Sequence, residues 1–258
     1  MVIDGMDKSK FKVPRNLDTK VGSNKLWEEC WRPTCPMTGV LVHGVAEHYY
    51  ILDDDMKKDS NMNCELIARS LDKAFGALAE VNTQMPVHFA LQADNTCREE
   101  KNTVALTQLA VLVGQDRFKS ATSSFVGVGH SHIDIDQRFS DVGTKLKNTD
   151  ALEEPADFQR VVEEKVRGAR GRAVESELVP DAHDWKRYYA GLGIKLHGHT
   201  GNEASHVFKF IQRQHLAHEG AGACVSLLKD EGARIRPCGV SARTRAVNRP
   251  HVKVARGG

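Results

Sequence analysis

Aromatic residues are scarce in this chain, at 6% of 258 positions, and no apolar run approaches the ~20 residues that cross a bilayer. A membrane span is therefore not expected. Net charge is nearly absent as well: the formal value of +2 is too small to argue for a nucleic-acid partner on its own. The six cysteines (Cys30, Cys35, Cys64, Cys97, Cys224 and Cys238) never pair as CxxC, and the N-terminal MVIDGMDKSK has no secretory h-region. Those features exclude a disulfide framework and read as reduced thiols in a nuclear or cytoplasmic protein. Cys30 and Cys35 could form half of a zinc site, but no second pair at suitable spacing completes it.

What is present is the composition of an ordinary globular chain, 40% hydrophobic and 27% charged. Val2–Gly5 reads as the end of a strand that starts at the initiator Met, which favours a piece of a longer protein. Phe11–Thr34, with Pro14, Gly22 and Pro33, reads as loop. Gly39–Gly44 and Glu47–Leu52 read as two strands of a hairpin, and Asp53–Asp55 as a solvated turn. Leu66, Ile67, Leu71, Phe75 and Leu78 recur at helical spacing, which predicts a helix over Ser60–Glu80 capped by Ser60 or Asn61.

The stretch 85–102 is the centre of the reading. Val87–Ala93 is a short apolar run opened by Pro86 and ending at Asp94-Asn95, and a helical pattern follows from Glu99 across Asn102–Val113. This is a buried strand delivering a carboxylate to its C-terminal end, where open α/β sheets place their chemistry. Phe125–Gly129 predicts another strand, and Asp136–Leu146 a helix. Three early strands in a meander, then strand–helix alternation, imply an α/β fold with a mixed sheet. The expected division is a core at 1–167, a C-terminal extension packed on it at 168–214 after the GARGR linker, and a disordered basic tail at 215–258. Within the extension, 184–192 and 204–214 read as helices or short strands around a Gly- and His-rich loop.

Carboxylates stand at three comparable points: Asp4 closing the first strand, Asp94 closing the fourth, and Asp134 or Asp136 after the fifth. A hard divalent cation needs several oxygen ligands, and two ions roughly 4 Å apart clamp both the attacking and leaving oxygens of a phosphodiester. His130, His132, Asp134 and Asp136 alternate, so on a strand they would share one face, with the imidazoles orienting ligands. Blander roles compete: Asp4 can open a turn with Gly5, and Asp94-Asn95 can cap a helix. Arg98 and Lys101 read as a solvated helix face, and His197 and His199 as surface or structural groups. From Ala233 to Gly258 there are seven Arg or Lys and no acid; Arg243, Arg245, Arg249 and Arg256 would bind phosphates without reading sequence.

The order of these acids resembles the ribonuclease H-like superfamily, which includes DDE transposases and retroviral-type integrases. The segments VIDGMDKSKFKVPRN, KDSN…ELIARSLD, ADNTCREEKN, GHSHIDIDQRFS and GHTGNEASHVFKFIQR are similar, over approximately residues 2–214, to a domain-of-unknown-function family of transposon-like reading frames. The resemblance implies a ribonuclease H-like mixed sheet flanked by helices. It also implies Asp4, Asp94 and Asp136 as ligands of Mg²⁺ or Mn²⁺, with Asp134 as the alternative third acid, Asn95 on a motif position, and His130 and His132 as neighbours. DNA would be the partner, and two-metal cleavage or strand transfer the activity. Two other readings remain open: a transposon relic that only binds nucleic acid, and a metallophosphoesterase-like hydrolase using Gly129-His130-Ser131-His132. The hydrolase lacks its GDxxD and GNHD or GNHE motifs, and the metallo-β-lactamase signature fails because Ile135 follows Asp134 where His is required.

Overall fold

The computed structural model describes residues 1–6, 12–16, 31–94, 102–125, 134–149, 151–166, 173–194, 207–213 and 224–229. Its strands are β1 (Val2–Gly5), β2 (Arg15–Asn16), β3 (Met37–Val42), β4 (Ala46–Leu52), β5 (His88–Ala93), β6 (Ser120–Phe125), β7 (Ala151–Leu152), β8 (Ala173–Val179), β9 (Val207–Arg213) and β10 (Cys224–Lys229). The described helices are α1 (Ser60–Glu80), α2 (Thr103–Gly114), α3 (Asp134–Lys147), α4 (Pro155–Val166) and α5 (Trp185–Gly191). Eight strands form one mixed sheet in the order β10-β9-β6-β5-β1-β3-β4-β8, and β2 pairs with β7 alone. The hairpin β3–β4 lies antiparallel beside β1, whereas β5 and β6 run parallel to it on the other side. β8 joins β4 in parallel, and β9 and β10 extend the far edge antiparallel.

Side-chain alternation sorts the apolar residues onto two faces. Ile3, Val40, Tyr50, Leu52, Phe89 and Leu91 point to one face, where Leu66, Ile67 and Leu71 of α1 and Leu106, Leu109 and Val113 of α2 cover them. Val2, Leu41, Tyr49 and Ile51 point to the other, under Ile135, Phe139, Val142 and Leu146 of α3 and Phe158, Val161 and Val162 of α4. The sheet is thus buried on both sides, as parallel strands require.

Local chemistry sets the helix ends. The α1 cap is Asp59 rather than Ser60 or Asn61: its carboxylate accepts from the backbone N–H groups of Asn61 and Met62 at 3.0 and 3.2 Å. A carboxylate one residue earlier reaches two of the orphan donors and also complements the helix dipole. Asn102 caps α2 in the same way, at 3.0 and 3.1 Å. Asp53, Asp54 and Asp55 form an exposed turn, as expected.

Several elements depart from the sequence reading. The fifth strand of the β1–β6 set covers Ser120–Phe125, not Phe125–Gly129, and residues 126–133 lie outside the described residues. Its small hydroxyl residues fit the centre of the sheet because neighbours satisfy them: His88 Nδ1 and Ser120 Oγ are 2.8 Å apart, and Ser124 Oγ donates to the Leu91 carbonyl at 3.4 Å. The helix α4 and strand β8 were not anticipated. Pro155 at a first helical position and the spacing of Phe158, Val161 and Val162 are the signals that mark α4. Residues 204–214, left between helix and strand, contain β9, and β10 lies inside the stretch expected to be disordered. Residues 230–258 lie outside the described ones. No described helix is long and apolar enough to cross a membrane.

Candidate functional site

The site is assembled where β1 and β5 end side by side. Asp4 lies on the α3 side of the sheet, the side shared by Val2 and Met6. Its Oδ1 accepts the Gly5 N–H at 2.7 Å. Gly39 pairs with Asp4 across β1–β3. A Cβ at Gly39 would meet Ile135 Cδ1 at 3.0 Å and the Phe139 ring at 3.1 Å, so the bare backbone there lets α3 settle against the sheet beside Asp4. Gly39→Val is expected to cost about 1–3 kcal/mol by overpacking. Urea unfolding would read this loss, and an unchanged midpoint would show that α3 does not rest on Gly39.

The 3.6-residue period of α3 replaces the alternation expected of Asp134 and Asp136. Both lie in the first helical turn; Asp134 is exposed, Asp136 is half-buried and Ile135 enters the core. The two acids therefore do not share a face, a correction imposed by the helix starting at residue 134 rather than at 136. Carboxylates in a first turn are stabilised by the helix dipole. Arg138, half a turn beyond Asp136, donates to Glu47 at 3.1 Å, and Tyr49 Oη donates to the same carboxylate at 3.3 Å. Glu47 is 2% exposed, so this pair fastens the start of α3 to β4.

Asp94 closes β5 with its side chain exposed. The electrostatics join the three acids. Burial pushes the Asp4 carboxyl above its ordinary value; the Gly5 N–H and Lys58 pull it back, and Asp136 and Asp94 push it further up. Asp94, Asp136 and Lys58 are thus each within electrostatic reach of Asp4. The oxygen-only donor set suits a hard divalent cation. Among the described residues, however, no three His, Cys, Asp or Glu side chains are gathered closely enough to hold an ion. His130, His132, Asn95, Arg98, Lys101, His197 and His199 lie outside the described residues.

The basic partner, Lys58, was not singled out by the sequence. It precedes the α1 cap and follows a pinned turn, in which Thr34 N and Oγ1 donate to Asp54 at 2.9 and 2.6 Å. From there its side chain crosses Gly5: a Cβ at residue 5 would collide with Lys58 Nζ and Cε. The only signal was the pair Lys57-Lys58 after an acidic turn, which reads equally as solvated surface.

A second polar cluster lies on the opposite face of the sheet. Buried Glu65 accepts from Arg69 Nε at 2.7 Å, Trp185 Nε1 at 2.7 Å and the His183 N–H at 3.2 Å, and His183 Nδ1 lies 2.9 Å away. Burial pushes the Glu65 carboxyl up, but the bonds from His183, Arg69 and Trp185 outweigh it and hold it below its usual range. This clamp docks α5 on α1; the chemistry at the β1 and β5 ends is separate from it.

A family model described as a domain of unknown function (DUF7869) matches residues 25–220. That span includes Asp94 and Asp136 but not Asp4, and it starts later than the expected resemblance over 2–214. No curated protein and no solved structure matches the chain.

Proposed function

We propose that this chain, which belongs to the DUF7869 family, is a ribonuclease H-like nuclease or strand transferase acting on DNA. The family description assigns no activity. The observation that carries the reading is the placement of acids on a particular topology: β4-β3-β1-β5-β6, antiparallel on one side of β1 and parallel on the other, with Asp4, Asp94 and Asp136 on the first strand, the fourth strand of that set and the following helix. That is the arrangement the resemblance leads one to expect. Asp4, Asp94 and Asp136 would hold Mg²⁺ or Mn²⁺, with exposed Asp134 less well placed and His130 and His132 nearby in sequence. The ions would polarise a phosphodiester and lower the pKa of an attacking water or hydroxyl. The residues themselves would position the ions, and Arg138 would hold the helix that carries Asp136.

Calorimetric titration with MgCl₂ and MnCl₂, followed by a plasmid-nicking assay, tests this. Wild type is expected to bind and cleave, and Asp94→Asn and Asp136→Asn to lose both while keeping their far-UV circular dichroism. Metal-independent cleavage, or full activity in both variants, would sink the proposal. A second reading, a nucleic-acid-binding relic, is favoured by one observation: the Lys58 ammonium lies against Gly5, within electrostatic reach of Asp4. DNA binding without metal binding would support it.

A further inference from the structure

The two-sided cover of the sheet belongs to β1, β3 and β4. No residue of β5, β6 or β9 enters the core that α3 and α4 build, so on that side these strands carry no described helix. Alternation turns Phe89, Leu91, Ala121, Phe125, Phe208 and Phe210 toward α1 and α2. It turns His88, Ala90 and Gln92 of β5, Thr122 and Ser124 of β6 and Lys209 of β9 the other way, and none of these is buried. Parallel strands such as β5 and β6 are ordinarily covered on both faces, so a bare face calls for a covering partner. We propose that this open face is a bed for the sugar–phosphate backbone of DNA. The proposal rests on the DNA partner named above and not on the metal.

Register fixes the layout. Ala90, Thr122 and Lys209 are direct neighbours across β5, β6 and β9, and Gln92 stands beside Ser124 one step along. At about 4.8 Å between strands and about 6.7 Å between residues on one face, the patch is on the order of a few hundred Å². That is short of the ~800 Å² each partner contributes to a stable protein interface, and enough for a short run of backbone. The chemistry points the same way. The Thr122 hydroxyl, the Gln92 side-chain amide and the Lys209 ammonium make no hydrogen bond or ion pair with any described residue. His88 engages Ser120 Oγ through Nδ1 at 2.8 Å and keeps Nε2 for a ligand. Hydroxyls, amides and lysines are the groups that hold phosphate oxygens. Among the described residues of the patch there is an ammonium and no carboxylate, a balance that complements a polyanion. No aromatic ring stands there to stack a base, so the contact is with the backbone and independent of sequence. The patch leads along β5 to the strand end that carries Asp94.

The test places the photo-cross-linker p-benzoylphenylalanine at exposed Ala90 and, as a control on the other side of the sheet, at exposed Lys186 of α5. The full chain is mixed with a short fluorescein-labelled oligothymidylate in EDTA, followed by anisotropy and then by ultraviolet cross-linking. Cross-linking reports where the strand lies, so the cations at 233–258, which also attract DNA, do not decide the result. The Ala90 position is expected to link to the strand and the Lys186 position not to. Lys209→Glu, which breaks no described contact, should lower the Ala90 yield roughly tenfold with an unchanged far-UV circular dichroism spectrum. Binding by anisotropy without an Ala90 cross-link would overturn the bed while leaving the DNA partner in place. Equal yields from both positions, or a yield untouched by Lys209→Glu, would overturn it as well. Linking of Ala90 to a second copy of the chain would show a protein interface instead. No binding at all would remove the DNA partner and this inference together.

Discussion

Arg138→Ala is expected to lower the unfolding free energy by about 3–5 kcal/mol, the cost of leaving one member of a buried ion pair without the other. Glu47 is 2% exposed and Arg138 23% exposed, so Glu47 is the more deeply buried charge of the pair. Tyr49 Oη would still donate to it, and burial and Glu47 together already push that phenol far above its ordinary value. One neutral donor cannot replace a guanidinium, because bonds to charged donors are roughly twice as strong as neutral ones. Arg138→Met with Glu47→Leu should recover most of the loss, since neither charge then needs a partner. Urea unfolding of the two single variants and the double variant measures this. A single variant within about 0.5 kcal/mol of wild type would show that water reaches Glu47 and that the pair is a surface contact in energetic terms.

The second large effect is a loss of stability on mild acidification. His48 lies in β4 with 1% exposure, and neither ring nitrogen has a hydrogen-bond partner. Burial first, and then the Lys73 ammonium, lower its pKa from 6.5 to about 4; Glu175 and Glu177 oppose this and lose. They lose because the nearer of the two, Glu175 at 3.9 Å, is 49% exposed and well screened, and because Lys73 already engages both carboxylates at 3.0 and 2.8 Å. The sign follows from proton counting. Above pH 6.5 the imidazole is neutral whether the chain is folded or not, and costs nothing. Between 6.5 and about 4 the unfolded chain binds a proton that the folded one refuses, so stability falls as the pH falls through that window. The full difference is on the order of 3 kcal/mol. Glu65 and Glu177, both held below the ordinary carboxyl value of 4.5, add their losses only at lower pH. Denaturant unfolding at pH 7 and pH 5 should therefore differ, and His48→Leu should remove most of the difference. If His48→Leu keeps the same pH slope as wild type, the sensitivity belongs to other groups.

Much of the scaffold was legible in order of appearance. Leu66, Ile67 and Leu71 recur at helical spacing, and the structure has a helix over the expected residues 60–80. The hairpin of β3 and β4 and the strand delivering Asp94 also stand where apolar runs and turn residues place them. These features depend on neighbours within a few residues, and local periodicity is enough to reveal them. The places of Asp4 and Asp94 at strand ends and of Asp136 in the helix after β6 were legible for the same reason.

The rest was decided by contacts between residues far apart in the chain. The small polar run SATSS at 120–124 looks like loop until β5 and β9 pair with its backbone on either side and β5 partners the Ser120 and Ser124 hydroxyls. AVESELV has little local preference, and becomes β8 because β4 offers it an edge while Lys73 and Arg69 of α1 pair with Glu175 and Glu177. Whether 134–136 alternates or coils depends on Ile135 finding Gly39 across the sheet, 96 positions earlier. Lys58 packs against β1 only because Gly5 lacks a side chain to keep it out. Sequence by itself determined which residues could form strands, helices and ligands, because propensity and pattern are local. The tertiary structure alone decided which charges meet, because a buried ion pair forms only where two distant segments remove the same groups from water.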